Sequence, residues 1–540
     1  MPAEAPPPEP PAAAPPAVPG WRRLPSARTA GQILGLALAW AALAWWVQHL
    51  TTAPGLWKHT IFLLKDRGYR FLLDLLAGAF LLGALRTRYV ALLMAVSVVA
   101  DGAILSYFTT YRRALSWVTV RNQAGEGAAV FGVAFDLAAP YLKIIVPVSL
   151  AVLALHARLS PRWERRTGLL LGAASVWLAI ALGLHLDHKP LYRLRTFETA
   201  DGIAHTYGYA ITWAAETLYI DQRSLTKAAI EVMDQPADRL VELVPPQDLG
   251  RRLAVVQVES LDDALVGFRI GGRPVTPRLD EWAARGTYLR VQAPKRNGSC
   301  DSDFSLLMGT WPSTQSVPYR LPAFPFERSI IGTLRKAGVS SAFYHGVDGA
   351  FFERRRAFAK MGFDRVAFRE EVIERAGVTD PEWTLPDGVV LRLATKERRS
   401  EDAFFEFSIT GTSHTPFEFS LEGMPRELFP GASGRDENYF DTIRYVDGAV
   451  GAYVDGLPPG TVVLIYGDHW SQVENASIGY RSQVVEEFGV VPLVLFRTTA
   501  AGPEPLFTID PARARSAELR LVDVARWYRR SLESTAPAAR

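Results

Sequence analysis

Cysteine is almost missing from this chain: of 540 residues only Cys300 carries a thiol. No intramolecular disulfide can form in any redox compartment, and no cysteine-built zinc cluster is possible. Stability has to come from burial. A strong excess of one charge is missing as well. A net charge of +3 on so long a chain, with no extended basic run outside the flanks of its apolar segments, gives no reason to expect a nucleic-acid partner. Evenness is the third absence. From Thr29 to about Leu186, long runs of Leu, Ala, Val, Ile and Trp dominate, whereas from Lys189 onward charged residues recur every few positions, so the mean hydropathy of +0.05 averages over two solvents. Four segments follow: a disordered Pro/Ala-rich cytoplasmic leader over residues 1–28, a transmembrane domain over 29–188, a linker over 189–250 and a soluble α/β domain over 251–540.

The first apolar run, from about Ala30, lacks an obvious cleavage site and reads as an uncleaved spanning helix. Five candidate spans near the required length of about 20 residues lie at about 30–50, 70–87, 89–108, 137–157 and 167–186. Arg22, Arg23, Arg28, Arg86, Arg88, Arg158, Arg162, Arg165 and Arg166 mark the cytoplasmic side by the positive-inside rule, which puts residues after about 187 outside. The opposite loops also hold basic residues, among them Lys65, Arg67, Arg112 and Arg113. Asp101, within the third span, is either a functional carboxylate or a polar residue satisfied by a neighbour. Tyr207, Tyr209, Trp213 and Tyr219 punctuate a helical segment from about Ala200 to Asp221, which either lies at the headgroup level or packs on the soluble domain.

Beyond Arg251 the pattern becomes short apolar runs rich in β-branched and aromatic residues: Leu253 to Val258, Ser341 to Tyr344, Phe404 to Ile409, Val462 to Tyr466 and Val490 to Phe496. Such runs suit strands buried on both faces, and helix candidates alternate with them, one opened by Thr276-Pro277 and closed by Gly286, another ended by Gly338. The expectation is an α/β domain with a largely parallel sheet flanked by helices. Ionisable residues follow the runs: Glu259, His345, His414 and Asp468-His469. Ligands of open α/β sheets bind outside the carboxyl ends of strands, so these residues are expected to converge. Two carboxylates and an imidazole converging call for a cation, and Glu259, Asp468 and His469 offer donors that manganese, zinc or magnesium accept. Ser299, at the start of an apolar helix, adds a hydroxyl that caps the helix or, at a metal, becomes a nucleophile.

The order of a strand ending Val258-Glu259-Ser260, the segment Ser299-Cys300-Asp301-Ser302-Asp303-Phe304, then Ser413-His414-Thr415-Pro416-Phe417 and Tyr466-Gly467-Asp468-His469 resembles the lipoteichoic acid synthase family of membrane phosphoglycerol transferases. The resemblance runs from the first span to about Phe496. It implies an alkaline-phosphatase/sulfatase-like catalytic domain outside the cell membrane, and one divalent metal, manganese by preference, held by Glu259, Ser299, Asp468 and His469. It implies Ser299 as nucleophile, and His414, Arg354 and His345 as substrate contacts. The donor implied is phosphatidylglycerol; the acceptor is a glycerophosphate polymer or, because arginine far outnumbers lysine and alanine is abundant, a periplasmic glucan or another envelope glycan. Where the family has an aspartate after its His-Gly pair and a tryptophan before its arginine, Val347 and Phe352 stand here.

Several alternatives stand beside this reading. Cys300 is a competing nucleophile, but the formylglycine motif of sulfatases needs proline and arginine where Ser302 and Phe304 stand. Arg354-Arg355-Arg356 reads as a solvated basic cluster or as an anion site. His345 and His414 serve the site or simply pack. Asn475-Ala476-Ser477 is a chance glycosylation sequon. Phosphoethanolamine transfer, hydrolysis of a phosphodiester or sulfate, and an inactive membrane scaffold are the rival functions.

Overall fold

The computed structural model describes residues 27–51, 60–111, 114–117, 119–121, 131–162, 172–174, 176, 208–219, 222–233, 239–313, 316–378, 384–398, 403–415, 417, 426–431, 434–485 and 488–535. Two compact units emerge, one drawn from residues 1–47, 61–99 and 143–190, the other from 48–60, 100–142 and 191–540.

Among the described residues four long N-terminal helices are present: α1 (Ala27–Thr51), α2 (Thr60–Ala84), α3 (Thr87–Tyr111) and α4 (Phe131–Leu159). Three of them, α1, α3 and α4, are long and apolar enough to cross a membrane. In α2 only Asp74–Ala84 is apolar, because Lys65, Asp66, Arg67 and Arg70 fall in its first half. Of the five expected spans the fifth lies outside the described residues, apart from 172–174 and 176. In the first unit, Ile33, Ala37, Ala79, Leu82, Val90 and Met94 form a small core, while Leu34, Leu92, Val96 and Leu150 point outward. Apolar residues on both faces suit an apolar solvent. His156, fully buried, bonds to the Leu82 carbonyl at 2.9 Å and to Thr87 Oγ1 at 3.2 Å, which satisfies its polar ring between helices. Asp101 is half-buried on α3 and is not without a partner.

In the second unit, α5 (Tyr209–Tyr219) supplies part of the expected aromatic helix; Ala200 to Tyr207 lie outside the described residues. One face of α5 is tied to protein: Trp213 Nε1 donates to the Leu115 carbonyl at 2.8 Å, the Trp117 amide donates to Glu216, and Tyr209 Oη donates to Thr51 Oγ1.

The soluble part is built on a ten-stranded sheet. We number its main strands β1 (Arg252–Val258), β2 (Thr287–Ala293), β3 (Ser340–His345), β4 (Arg365–Ala367), β5 (Phe404–Ile409), β6 (Val462–Gly467), β7 (Phe488–Thr499) and β8 (Leu519–Arg520). Their order is β8-β2-β7-β6-β1-β5-β3-β4, with Val484–Val485 and Gly502–Pro505 pairing onto β7. All neighbours run parallel except β7, which is antiparallel to β2 and β6. Two reversals cancel, so β2 points the same way as β1, and the carboxyl ends of β1, β2, β3, β5 and β6 share one edge.

The central strands are buried on both faces because helices cover both: α6 (Cys300–Met308), α7 (Arg354–Met361), α8 (Asp387–Glu397), α9 (Arg435–Asp455) and α10 (Leu521–Thr535). Leu253, Val255, Phe405, Leu464 and Leu493 pack into one core with Phe304 and Trp527, while Ala254, Val256, Val463 and Ile465 pack into the other with Tyr439 and Ile443. Strand β2 instead alternates buried and half-buried residues, which is why no continuous apolar run announced it.

Candidate metal and nucleophile site

Each candidate residue sits where a strand stops. Glu259 follows β1 at once, and its amide donates to Thr410 Oγ1 beyond β5 at 2.9 Å. The next residue, Ser260, holds a left-handed backbone at φ 54°, a strained conformation for a residue with a Cβ. Three bonds hold it there. Its amide donates to Asp468 Oδ1 at 2.8 Å, its hydroxyl to Glu259 Oε1 at 3.0 Å, and its carbonyl accepts from Tyr439 Oη at 2.8 Å. Asp468 and His469 follow Gly467, where any Cβ would collide with the Leu261 carbonyl. Glycine there lets the loops after β1 and β6 close on each other.

Ser299 precedes α6 and does not cap it, since its backbone is already helical and its hydroxyl bonds to no helix amide. The hydroxyl turns to the site instead, donating to Glu259 Oε2 at 2.7 Å and lying 3.3 Å from His469 Nε2. Asp301 secures the approach by accepting from the Arg296 and Asn297 amides and from Asn297 Nδ2. Cys300 points the other way, into the apolar core, with its Sγ 3.9 Å from the Asn297 carbonyl.

Donor atoms of Glu259, Asp468 and His469 lie within 4.8 Å of one another, and all three residues are buried. His469 Nδ1 faces the Trp470 carbonyl at 3.1 Å, which places its proton there and leaves the Nε2 lone pair toward the carboxylates. Asp468 Oδ2 is buried with no hydrogen-bond partner, 3.4 Å from that Nε2. Burial and the charge of Glu259 push Asp468 well up, and burial with Lys295 holds His469 down at about 3, so the imidazole is neutral. Burial opposes the charge of Glu259 too, yet its imidazole neighbours and the bond from Ser299 keep it low, at about 2. Two buried carboxylates this close hold a proton between them unless a cation takes its place. Two carboxylates, one of them with an orphaned oxygen, and one neutral nitrogen fit a hard or borderline divalent ion.

Beside this cluster lies a basic one. Arg354 is buried, with Nε 2.8 Å from Asp303 Oδ2 and Nη2 without a partner. Two successive left-handed residues, Phe352 and Glu353, turn the chain into α7, and the Phe352 ring lies 5.2 Å from the guanidinium. Arg355 and Arg356 point away, paired with Glu370, Glu371 and Glu353 at the surface. His345, held down to about 3 by burial and by Arg354, donates from Nδ1 to the Ile409 carbonyl and offers Nε2 to Arg354 Nη1 at 3.5 Å. His414 is half-buried, donates from Nδ1 to the Thr415 carbonyl at 2.6 Å, and lies within electrostatic reach of Glu259, His345 and His469. Its loop is anchored by Ser413 Oγ, which donates to the Glu259 carbonyl at 2.6 Å, and by Asp387, which accepts from the Gly411 and Thr412 amides.

Four neighbours were given no role in the reading of the sequence: Ser260, Asp262, Lys295 and Asp303. Lys295 is the one a signal existed for. It follows β2, whose carboxyl end shares the edge of the site, so recognising the alternation of Thr287 to Ala293 would have pointed to it. Its Nζ is buried 3.5 Å from the Trp470 carbonyl and 5.3 Å from the centre of the Trp470 ring. Burial pulls it down to about 8 against the pull of Glu259, Asp468 and Asp262, so it stays charged at neutral pH.

Comparison with known proteins places this geometry. Residues 252–503 match the sulfatase family model. A lipoteichoic acid synthase-like protein of Bacillus subtilis is 23% identical over 41% of this chain and 37% of its own length, and the lipoteichoic acid synthase of Staphylococcus saprophyticus is 25% identical over 42% and 36%. The matched stretch thus spans little more than a third of those relatives. Among solved structures, lipooligosaccharide phosphoethanolamine transferase A of Neisseria meningitidis superposes with a TM-score of 0.51 at 16% identity, covering 87% of this chain and 89% of that one. That likeness shows a common fold, apolar N-terminal helices followed by a domain of alkaline-phosphatase/sulfatase type.

Proposed function

We propose, from the premise that residues 252–503 are a domain of the sulfatase family within the alkaline phosphatase superfamily, that this chain is a membrane-bound transferase of phosphoryl-linked headgroups acting through Ser299. The observation that carries the reading is the hydroxyl of Ser299, aimed at Glu259 and His469 inside a buried donor set while Cys300 faces the core. The family resemblance implies phosphatidylglycerol as donor, and the acceptor proposed is an envelope glycan or a glycerophosphate polymer. The catalytic domain then works outside the cytoplasm, with the boundaries 29–188 for the membrane domain, 189–250 for the linker and 251–540 for the catalytic domain.

Glu259, Asp468, His469 and Ser299 would hold one divalent ion, manganese by preference, which would supply charge neutralisation at the phosphoryl oxygens and at the serine oxygen. Glu259 Oε2 already accepts the Ser299 proton, so the oxygen is poised to form a bond to phosphorus. As that bond forms, the bond from phosphorus to the diacylglycerol oxygen breaks in line. His414, whose Nδ1 is committed to a carbonyl, has Nε2 left to hand the leaving oxygen its proton. Arg354 Nη2, which has no partner, is left to donate to the headgroup phosphate, and His345 fixes the guanidinium plane. In the second half an acceptor hydroxyl gives its proton to His414 as its oxygen bonds to phosphorus, the bond from phosphorus to Ser299 Oγ breaks, and Glu259 returns the proton to that oxygen.

Full-length protein in detergent with labelled phosphatidylglycerol and manganese tests this. Diacylglycerol together with a labelled acceptor is expected; free glycerophosphate would make the protein a phosphodiesterase, and no turnover would make it a scaffold.

A further inference from the structure

Resting on the reading of a divalent-dependent transfer site, we propose that Lys295 is a positioning residue of that site. It adds a fixed positive charge beside Glu259, Asp468 and His469, and it holds the Trp470 carbonyl that orients His469.

A lysine ammonium is rarely taken out of water without something to gain from it. Lys295 is 8% exposed and leaves β2 at the edge where the ligands converge. Its ammonium meets the Trp470 carbonyl at 3.5 Å, and the same carbonyl accepts the Nδ1 proton of His469 at 3.1 Å. A cation on that oxygen fixes the peptide to which the imidazole is tied, and so fixes the direction of the Nε2 lone pair. The Trp470 ring, 5.3 Å from Nζ, closes the other side.

Charge balance gives the second reason. A divalent ion would offset Glu259 and Asp468, and the charge of Arg354 is already matched by Asp303 at 2.8 Å. Asp262, the next carboxylate, is enclosed by the Ser471, Tyr480 and Ser482 hydroxyls. The phosphodiester of a lipid headgroup brings one more negative charge, and the Lys295 charge adds to the hydrogen bonding that Arg354 Nη2 offers it. The same ammonium repels the divalent ion. It therefore weakens metal binding while favouring the bound substrate, a pair of opposite effects that a packing role alone does not produce.

Lys295→Met keeps the stem against Trp470 and removes the charge, and Lys295→Gln removes the charge while keeping an N–H for the carbonyl. Manganese is titrated by calorimetry into the detergent-solubilised full chain, and phosphatidylglycerol turnover is measured alongside. In both variants manganese is expected to bind about tenfold more tightly and kcat to fall by about tenfold or more. Wild-type protein that binds no manganese would defeat the transfer reading itself. Wild-type binding with variants that bind manganese no more tightly, or a Gln variant with wild-type turnover, would overturn the role of the Lys295 charge.

Discussion

Asp303 and Arg354 form an ion pair in which neither side chain is more than 2% exposed. Removing one partner of such a pair strands the other charge in a medium that solvates it poorly. Asp303→Ala should therefore cost about 3–5 kcal/mol in urea unfolding of the soluble part. Arg355→Ala, one position from Arg354, removes half-exposed pairs with Glu370 and Glu371 and a contact with the Phe368 ring, and should cost about 1 kcal/mol. Equal losses would contradict the inward and outward placement of the two arginines. The run of three arginines could not be sorted from sequence, because the turn that separates them is set by the left-handed Phe352 and Glu353. By contrast Glu259, Asp468 and His469 were legible as a group, since each follows a run apolar enough to be a buried strand. Which of Ser299 and Cys300 faces the site was not legible. Adjacent residues at a helix start differ by a rotation that only tertiary packing fixes.

Between the strands and the site stand the loops, and these are held by carboxylates distant in sequence. Asp262 joins the loop after β1 to Ser471, Tyr480 and Ser482, and Asp387, at the start of α8, accepts the amides of Gly411 and Thr412 in the loop that carries His414. Burial raises Asp387 to about 7, well above the unfolded value near 4. The folded chain thus binds this proton more tightly than the unfolded chain. The stability it adds is fully present below about pH 4 and is lost as pH rises toward 7. Asp387→Asn should flatten that slope in thermal melts taken from pH 4 to 7. It should also lower stability by about 1–2 kcal/mol, because one of the two oxygens that face the Gly411 and Thr412 amides becomes an NH2 group, which cannot accept. An unchanged slope would show that Asp387 is not the titrating group. None of these tethers could be read beforehand: Asp262 and Ser471 are 209 positions apart, and only the sheet order brings their strands together. Strand β2 was missed for a related reason, since one of its faces is only half-covered and its alternating pattern gave no apolar run.

Taken together, the chain couples apolar helices suited to a membrane with a sheet whose carboxyl edge gathers a metal-ready cluster, a serine and a buried arginine. The expectation of an α/β domain behind membrane spans needed only composition and periodicity, because both solvents leave a strong imprint on residue choice. The number of spans did not follow as cleanly: α2 mixes charged and apolar turns, and the fifth candidate lies outside the described residues. The account turns on whether Ser299 becomes covalently loaded. The full chain is incubated with phosphatidylglycerol and manganese in detergent, quenched in acid, digested, and its peptides weighed by mass spectrometry. A glycerophosphoryl increment on Ser299, absent from Ser299→Ala together with a loss of turnover of roughly a thousandfold or more, is the expected result; the increment on Cys300, or full turnover in Ser299→Ala, would contradict it.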